Sequence, residues 1–456
     1  PEPTLVVEAA RAIYDVPIDA AMPSLAALAA RRDLGSVLRN PDLVEPLLRR
    51  AVHANRRVAG GEAAGRLAAL AGMGTVPGSP RIEALEILAS WALPSGLDPV
   101  TGLWRPMEAR PAAEAAAVLR TALPGLLTSG PDPVRGAAAR AATALRIRES
   151  SPALLALLAD RDRSGPARAE ALRALDALDD DHLLEATRGA VGDPAEDVRI
   201  EGQRILARLR PAEAAPALDG VLGRGGRAER QAALAILGGL DDPKADAVLA
   251  RWLDRLLAGE VAPDMQLDLL EASATRRDEA IRQKLQLYES RRPQDDPIAR
   301  FREALAGGDA QRGRAVFSRT ETECARCHMI RRSSGEGLGG EVGPDLTDVG
   351  ARQPREYILE SIVAPNRQIA QGFETVVVAT ADGRVSAGVL KGDDGTNLLL
   401  QTPEGFTLVI PKDQIEEQTR GASAMPEELT KALTKADLRD LVEFLASQKG
   451  QGLDPR

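Results

Sequence analysis

A twelve-residue helical phrase returns along the first 300 residues at almost constant spacing, and one copy of it cannot fold alone. Val134-Arg135 opens a run to Leu145, Ala167-Arg168 a run to Leu178, Val198-Arg199 a run to Leu209, and Glu229-Arg230 a run to Leu240. The openings are offset by 33, 31 and 31 residues. A weaker copy begins at Pro80-Arg81 and runs to Trp91. Each phrase is followed by Asp, Pro or Gly and then by a second amphipathic segment, such as Pro152 to Leu158, His182 to Val191 or Ala245 to Leu257. A single helix pair has no core of its own. Its apolar stripe is covered only when the next pair stacks against it, so the period predicts a row of paired helices.

These phrases resemble HEAT repeats, in which Asp-x-Val-Arg commonly opens the second helix. Asp197-Val198-Arg199 and Asp132-Pro133-Val134-Arg135 match that pattern well, and the other copies match in part. The resemblance implies an N-terminal α-solenoid over residues 1–294. Its Ala-rich faces let helices approach closely, while leucines fill the seams. An insertion from Leu97 to Pro106 interrupts the series. Trp104 within it is expected to cap the solenoid core, the alternative being an anchor for a partner.

All five phenylalanines, from Phe301 to Phe444, lie in the last third of the chain. This shift in composition predicts a boundary near residue 295, with Arg291-Arg292-Pro293-Gln294-Asp295-Asp296-Pro297 as linker. The expected organisation is solenoid at 1–294, linker and helix at 295–307, and a second domain at 308–456. With 44% apolar residues the chain is not broadly disordered, and a net charge of −9 argues against nucleic acid as the main partner, since phosphate binding needs clustered positive potential. No apolar run approaches the roughly 18 residues of a membrane span. The chain opens on Pro1 and is read as a fragment or processed product.

Both cysteines and one of the three histidines fall in Cys324-Ala325-Arg326-Cys327-His328. A C-x-x-C-H run is the attachment signature of c-type haem. Thiols three residues apart on a helical turn face the same way and can form thioethers with two vinyl groups, while the adjacent imidazole offers nitrogen to the iron. A zinc site wants four protein ligands, or three plus water. No third cysteine exists, and His53 and His182 lie far off in sequence. Nor does a βαβ pattern surround the motif, as a thioredoxin-like pair would require. Covalent haem attachment normally takes place outside the cytoplasm, so the expected location is the bacterial periplasm or another exported site.

Upstream, Asp309 is placed to cap a helix carrying Gly313 and Phe317. A glycine four residues ahead of an aromatic is the pattern of the first helix of c-type cytochromes. There the glycine permits close crossing with the last helix. That helix would be Thr434 to Leu445, with Leu438, Leu441, Val442 and Leu445 as apolar face and Phe444 as aromatic partner. Downstream stands Gly343-Pro344-Asp345-Leu346. In the cytochromes this resembles, the Pro carbonyl accepts the hydrogen bond of the axial histidine and the Leu lies against the haem; the resemblance assigns these roles to Pro344 and Leu346. A ligating imidazole needs such an acceptor to fix its tautomer and plane.

Six methionines compete for the sixth iron position. Met329 follows His328 directly and cannot reach the opposite face, and Met22, Met73, Met107 and Met265 belong to the repeats. Met425, in Ser423-Ala424-Met425-Pro426, is the expected ligand; the alternative is a core methionine beside an open or His-ligated iron. Between the two ligands, at about 373–417, the pattern alternates as strands: Thr375 to Thr380, Val385 to Lys391, Asn397 to Gln401 and Thr407 to Ile410. Asp382-Gly383, Asp394-Gly395 and Glu404-Gly405 supply turns. This predicts an antiparallel β insert of four or five strands, barrel-like, with a structural or docking role.

From Gly308 to Ser447 the chain resembles the haem-binding domain that ends large planctomycete and verrucomicrobial membrane-associated dehydrogenase-like proteins. The resemblance rests on the C-x-x-C-H run, Val342-Gly343-Pro344-Asp345-Leu346, Glu360-Ser361-Ile362-Val363-Ala364-Pro365, the Asp382-Gly383 insert, Ala424-Met425-Pro426 and the Asp437 to Leu445 helix. It implies a class I cytochrome c domain with one covalent haem c. In that family HEAT-like repeats often precede the domain, and a β propeller resembling sugar dehydrogenases often precedes the repeats. No propeller is present here, so quinoprotein dehydrogenase activity would lie outside this chain.

The expected function is electron transfer through haem c ligated by His328 and Met425, with the solenoid docking a redox partner or dehydrogenase and no catalytic centre in the chain itself. The alternatives are a fragment of a multidomain quinoprotein-type dehydrogenase, or a haem peroxidase or ligand sensor with an open distal site. Arg312, Arg314, Arg319, Arg326, Arg331 and Arg332 crowd the attachment segment. They either ring the haem edge and steer an acidic partner or are solvated side chains with one or two propionate pairs. Arg352 is a further propionate candidate.

Overall fold

The computed structural model describes residues 2–34, 38, 40–331, 337–402 and 404–450. The fold is mostly helical with a small antiparallel sheet, and the chain divides into two compact units, Pro1–Ala217 and Leu218–Arg456.

In the first unit each repeated phrase is a helix: Gly78–Ala89, Asp132–Ala144, Gly165–Ala177 and Glu196–Leu209. The second segments form Ser151–Ala159 and Leu183–Ala190. The recurring arginine has a physical task. Arg81 Nε donates to Ala71 O (2.8 Å), Arg135 Nε to Gly130 O (2.5 Å) and Arg168 Nε to Leu158 O (2.8 Å). Each acceptor lies at the C-terminal end of the preceding helix, where carbonyls lack partners and the helix dipole is negative. One buried guanidinium thus satisfies a helix end and ties it to the next helix. Arg168 also holds Asp193 in a two-pronged pair at 2.9 and 2.5 Å. Fully buried alanines such as Ala138, Ala141 and Ala169 let these helices pack closely.

Trp104 does not cap the core. It is 73% exposed, and it pairs with Leu97 across a short antiparallel bridge. The core position belongs to Trp91, whose indole donates to Glu114 at 3.1 Å and stacks under Arg110 at 3.9 Å. The loop bearing Trp104 is fastened by buried Asp98, which accepts from Tyr14 (2.9 Å), Arg57 (3.0 Å) and the backbone of Val100 (3.0 Å).

The second unit contains the last repeated phrase as Arg227–Gly239, then Pro243–Leu257, Pro263–Ala274 and Glu279–Ser290. The compositional change near 295 therefore falls inside this unit. Gln231 bridges Asp264 O and Gly307 O at 3.0 Å each, and Arg439 pairs with Asp268 at 2.7 Å. Beyond a 3-10 turn at Ala299–Leu305, the helix Ala310–Phe317 crosses the C-terminal helix Lys435–Ser447. Asp309 caps the first by accepting from Arg312 N–H at 2.8 Å. At the crossing a Cβ on Gly313 would collide with the carbonyl oxygen of Asp440, so the helices meet only because the residue is glycine. Phe317 and Phe444 pack beside it with ring centroids 5.6 Å apart. Leu438, Leu441, Val442 and Leu445 are buried as the helical spacing predicts.

Seven strands are described: β1 (Ile330–Arg331), β2 (Gly337–Leu338), β3 (Thr375–Thr380), β4 (Val385–Asp393), β5 (Asn397–Gln401), β6 (Thr407–Pro411) and β7 (Ile415–Arg420). β1 and β2 form a short ribbon; the other five make one antiparallel sheet in the order β6-β5-β4-β3-β7. Leu398 and Leu400 of β5 are buried while their neighbours are half-exposed, the period of two expected of a sheet with one covered face. β6 and β7 are the two sheet edges, yet only the turn Lys412–Gln414 separates them. Three residues span roughly 10 Å at most, so the sheet curls to bring its edges together, as a barrel-like insert requires. β7 reaches Arg420, past the predicted limit at 417, because its residues Glu416 to Arg420 are all exposed and show no alternation.

Candidate functional site

The C-x-x-C-H motif sits on one helical turn, Cys324–Cys327, held from both sides. Upstream, buried Thr322 donates to Val316 O at 2.7 Å, tying the turn to the Ala310–Phe317 helix. Downstream, Gly340 N–H donates to Ala325 O (2.9 Å) and Gly343 N–H to Cys327 O (2.8 Å). This glycine-rich strap lies so close that a Cβ at Gly343 would come within 2.7 Å of the His328 ring.

His328 Nδ1 stands 2.9 Å from the carbonyl oxygen of Pro344. A carbonyl only accepts, so Nδ1 carries the proton and Nε2 keeps its lone pair. Burial depresses the basicity of this imidazole, partly offset by the Pro344 bond, which keeps the ring in the neutral form a metal requires. Burial also pushes both cysteine thiols up, the reverse of what activates a redox dithiol. Among the described residues no three His, Cys, Asp or Glu side chains form a donor set for a bare metal ion.

One cavity of about 500 Å3 brings together every site residue expected from sequence: Cys324, Cys327, His328, Pro344, Leu346, Met425 and Arg352 all line it. Its volume falls within the range of roughly 300–1,000 Å3 typical of cofactor pockets. Apolar side chains from three helices close it, among them Phe317, Ile358, Ile362 and Leu441. Leu346 and Met425 also pack on the buried cluster formed by these helices.

The sheet insert contributes to this wall, which the sequence did not suggest. Val389 of β4 and Phe373 just before β3 line the cavity, and Lys391 lies 4.3 Å over the Phe373 ring. Phe373 is the lone aromatic between Tyr357 and Phe406, a signal available in the sequence.

The arginines do not assemble as a ring. Of the five described near the motif, Arg326 alone lines the cavity, and it pairs with Glu323 at 3.1 Å. Arg312 pairs with Asp440 (2.6 Å), Arg319 with Asp437 (2.8 Å) and Arg331 with Asp345 (3.1 Å); Arg332 lies outside the described residues. Arg352 lines the cavity and is held by Asp348 at 2.7 Å and Asp345 O at 2.9 Å.

No model of a known protein family matches the chain. A search of curated proteins likewise finds no match. Among the described residues no helix is long and apolar enough to cross a membrane.

The residues present fit a covalently held haem. Two thiols, a neutral imidazole with its tautomer fixed and a thioether share one largely apolar space. The donors are few and soft, which suits an iron already chelated by a macrocycle.

Proposed function

We propose that this chain is an electron-transfer module whose 308–456 region is a class I cytochrome c domain with one covalent haem c. The single observation that carries this reading is the convergence of Cys324, Cys327, His328 and Met425 on one cavity, with His328 oriented by Pro344. Haem, when bound, supplies a one-electron couple at its iron. Cys324 and Cys327 would form the thioethers, and His328 and Met425 would hold the iron, leaving no open site for substrate. The largely apolar walls would favour the less charged oxidation state of a bound haem. His328 is the one histidine among the described lining residues, which gives no support to a peroxidase-like acid–base centre.

The helical repeats are read as a HEAT-like solenoid that docks a redox partner or dehydrogenase, on the exported side where haem is attached. The periodic Arg-to-carbonyl ties between successive helices support the repeat arrangement in this reading.

The test is optical. Protein produced with a haem-attachment system should retain haem through denaturation, and its oxidised form should show the weak methionine-to-iron band in the far red. Met425→Ala should abolish that band and open the iron to carbon monoxide. Wild-type protein that lacks the band and binds carbon monoxide readily would overturn the electron-carrier reading.

A further inference from the structure

Met425 lies on the segment between β7 and the 3-10 turn Glu427–Lys431, a connection with no regular structure of its own. Two side chains from elsewhere in the unit hold it. Asn366, just past the helix Arg355–Val363, straddles the methionine: its Oδ1 accepts from Ser423 N–H at 2.6 Å, and its Nδ2 donates to Glu427 Oε1. These contacts fall two residues before and two residues after Met425. Thr375, at the start of β3 and 7% exposed, donates from Oγ1 to Ala422 O, and its backbone carbonyl accepts from Gly421 N–H at 2.9 Å. Inside the clamp, Met425 N–H donates to Ser423 Oγ at 3.1 Å.

We propose that Asn366 and Thr375 are positioning residues that fix the Met425 segment against the cavity and so keep its thioether in the axial position; this rests on the haem reading above. A thioether is a neutral, soft donor, and its occupancy depends on how often the loop presents it. Asn366 connects that loop to the helix whose Ile358 and Ile362 form the cavity wall, and Thr375 connects it to the sheet whose Val389 forms another part. The insert is thereby a brace for the sixth ligand. Loss of either hydrogen-bonding side chain loosens the segment without touching the cysteines or His328.

The experiment compares full-length holoprotein with Asn366→Ala, Thr375→Val, Thr375→Ser and Met425→Ala. The readouts are haem content after denaturation, the far-red methionine band, the proton NMR signal of the bound methionine methyl group, and carbon monoxide binding. Asn366→Ala and Thr375→Val should keep covalent haem but weaken the band, and raise apparent carbon monoxide affinity about three- to tenfold, the shift expected from one lost hydrogen bond. Thr375→Ser keeps the hydroxyl and should behave as wild type. If Asn366→Ala does not accumulate, the Thr375 pair decides, since valine preserves shape and serine preserves chemistry. Wild-type band and carbon monoxide binding in the clamp variants, with the band lost in Met425→Ala, would overturn the positioning role alone. An unchanged Met425→Ala spectrum would overturn the ligand assignment itself, and the positioning role with it.

Discussion

Pro344 accepts the Nδ1 proton of His328 over 2.9 Å, while Gly343, one residue earlier, lies flat against the same ring. The first contact orients the imidazole, and the second admits no side chain beside its ring. Gly343→Ala would place a methyl within 2.7 Å of the ring carbon and 2.8 Å of Nδ1. The strap must then lift, stretching the bond to Pro344. A loss of about 1–3 kcal/mol is expected, read by thermal or denaturant unfolding, together with lower haem retention. An alanine variant as stable as wild type would show that the strap is loose.

The crossing of the Ala310–Phe317 and Lys435–Ser447 helices permits an analogous test. Gly313→Ala sets a methyl against the backbone of Asp440, which cannot move without displacing the whole helix. The expected cost is about 3 kcal/mol or more. Gly61→Ala, at an open position inside the helix Gly60–Gly72, is the control and should be neutral or slightly stabilising.

Arg168 and Arg148 separate buried from exposed charge. Arg168 pairs with Asp193 where both side chains are under 10% exposed, and it also serves Leu158 O. Arg168→Ala leaves a buried carboxylate without its partner and should cost about 3–5 kcal/mol. Arg148 pairs with Asp179 in open solvent, and its replacement by alanine should change stability by no more than about 0.5 kcal/mol. Equal effects in urea unfolding would contradict the role given to the repeat arginine.

Asp98 predicts an acid sensitivity. Burial pushes its carboxyl up, but hydrogen bonds from Arg57, Tyr14 and the Val100 and Thr101 amides together outweigh burial and hold it below the usual carboxylate range. A carboxylate depressed in the folded state stabilises above its unfolded pKa of about 4, and that stabilisation is lost as pH falls through the lower folded value. The melting temperature of wild-type protein should therefore fall below about pH 4 more steeply than that of Asp98→Asn. Parallel curves for the two proteins would remove Asp98 from the acid transition.

Features governed by a short period or a local motif were legible in the sequence. The Arg-bearing helices follow from spacing, the Gly313–Phe317 crossing from a four-residue pattern, and the strands β3 to β6 from alternation bounded by Gly turns. Side-chain pairing across long separations was not. Arg312 finds Asp440 at a sequence distance of 128 residues, and nothing local announces it. Trp104 reads as core on hydrophobicity alone, but its loop is pinned by the polar Asp98 network, which turns the indole outward. β7 escaped notice because an edge strand with every polar residue exposed has no burial pattern to detect. At the site the donors could be named from motif spacing, whereas Phe373, Val389 and Asn366 reach the cavity or its loop only through tertiary folding.

Thr375 and Gly421 stand side by side, joined at 2.9 Å, although the whole sheet is threaded between them. The chain thus leaves the helical core and returns to it at the same point. Contour length between His328 and Met425 is decoupled from the distance that separates them. Such a closed detour can lengthen or acquire a new surface at its far turns while Thr375 and its cavity-lining partner Val389 stay in place, so those turns are where this protein can change its outer face without retuning its interior.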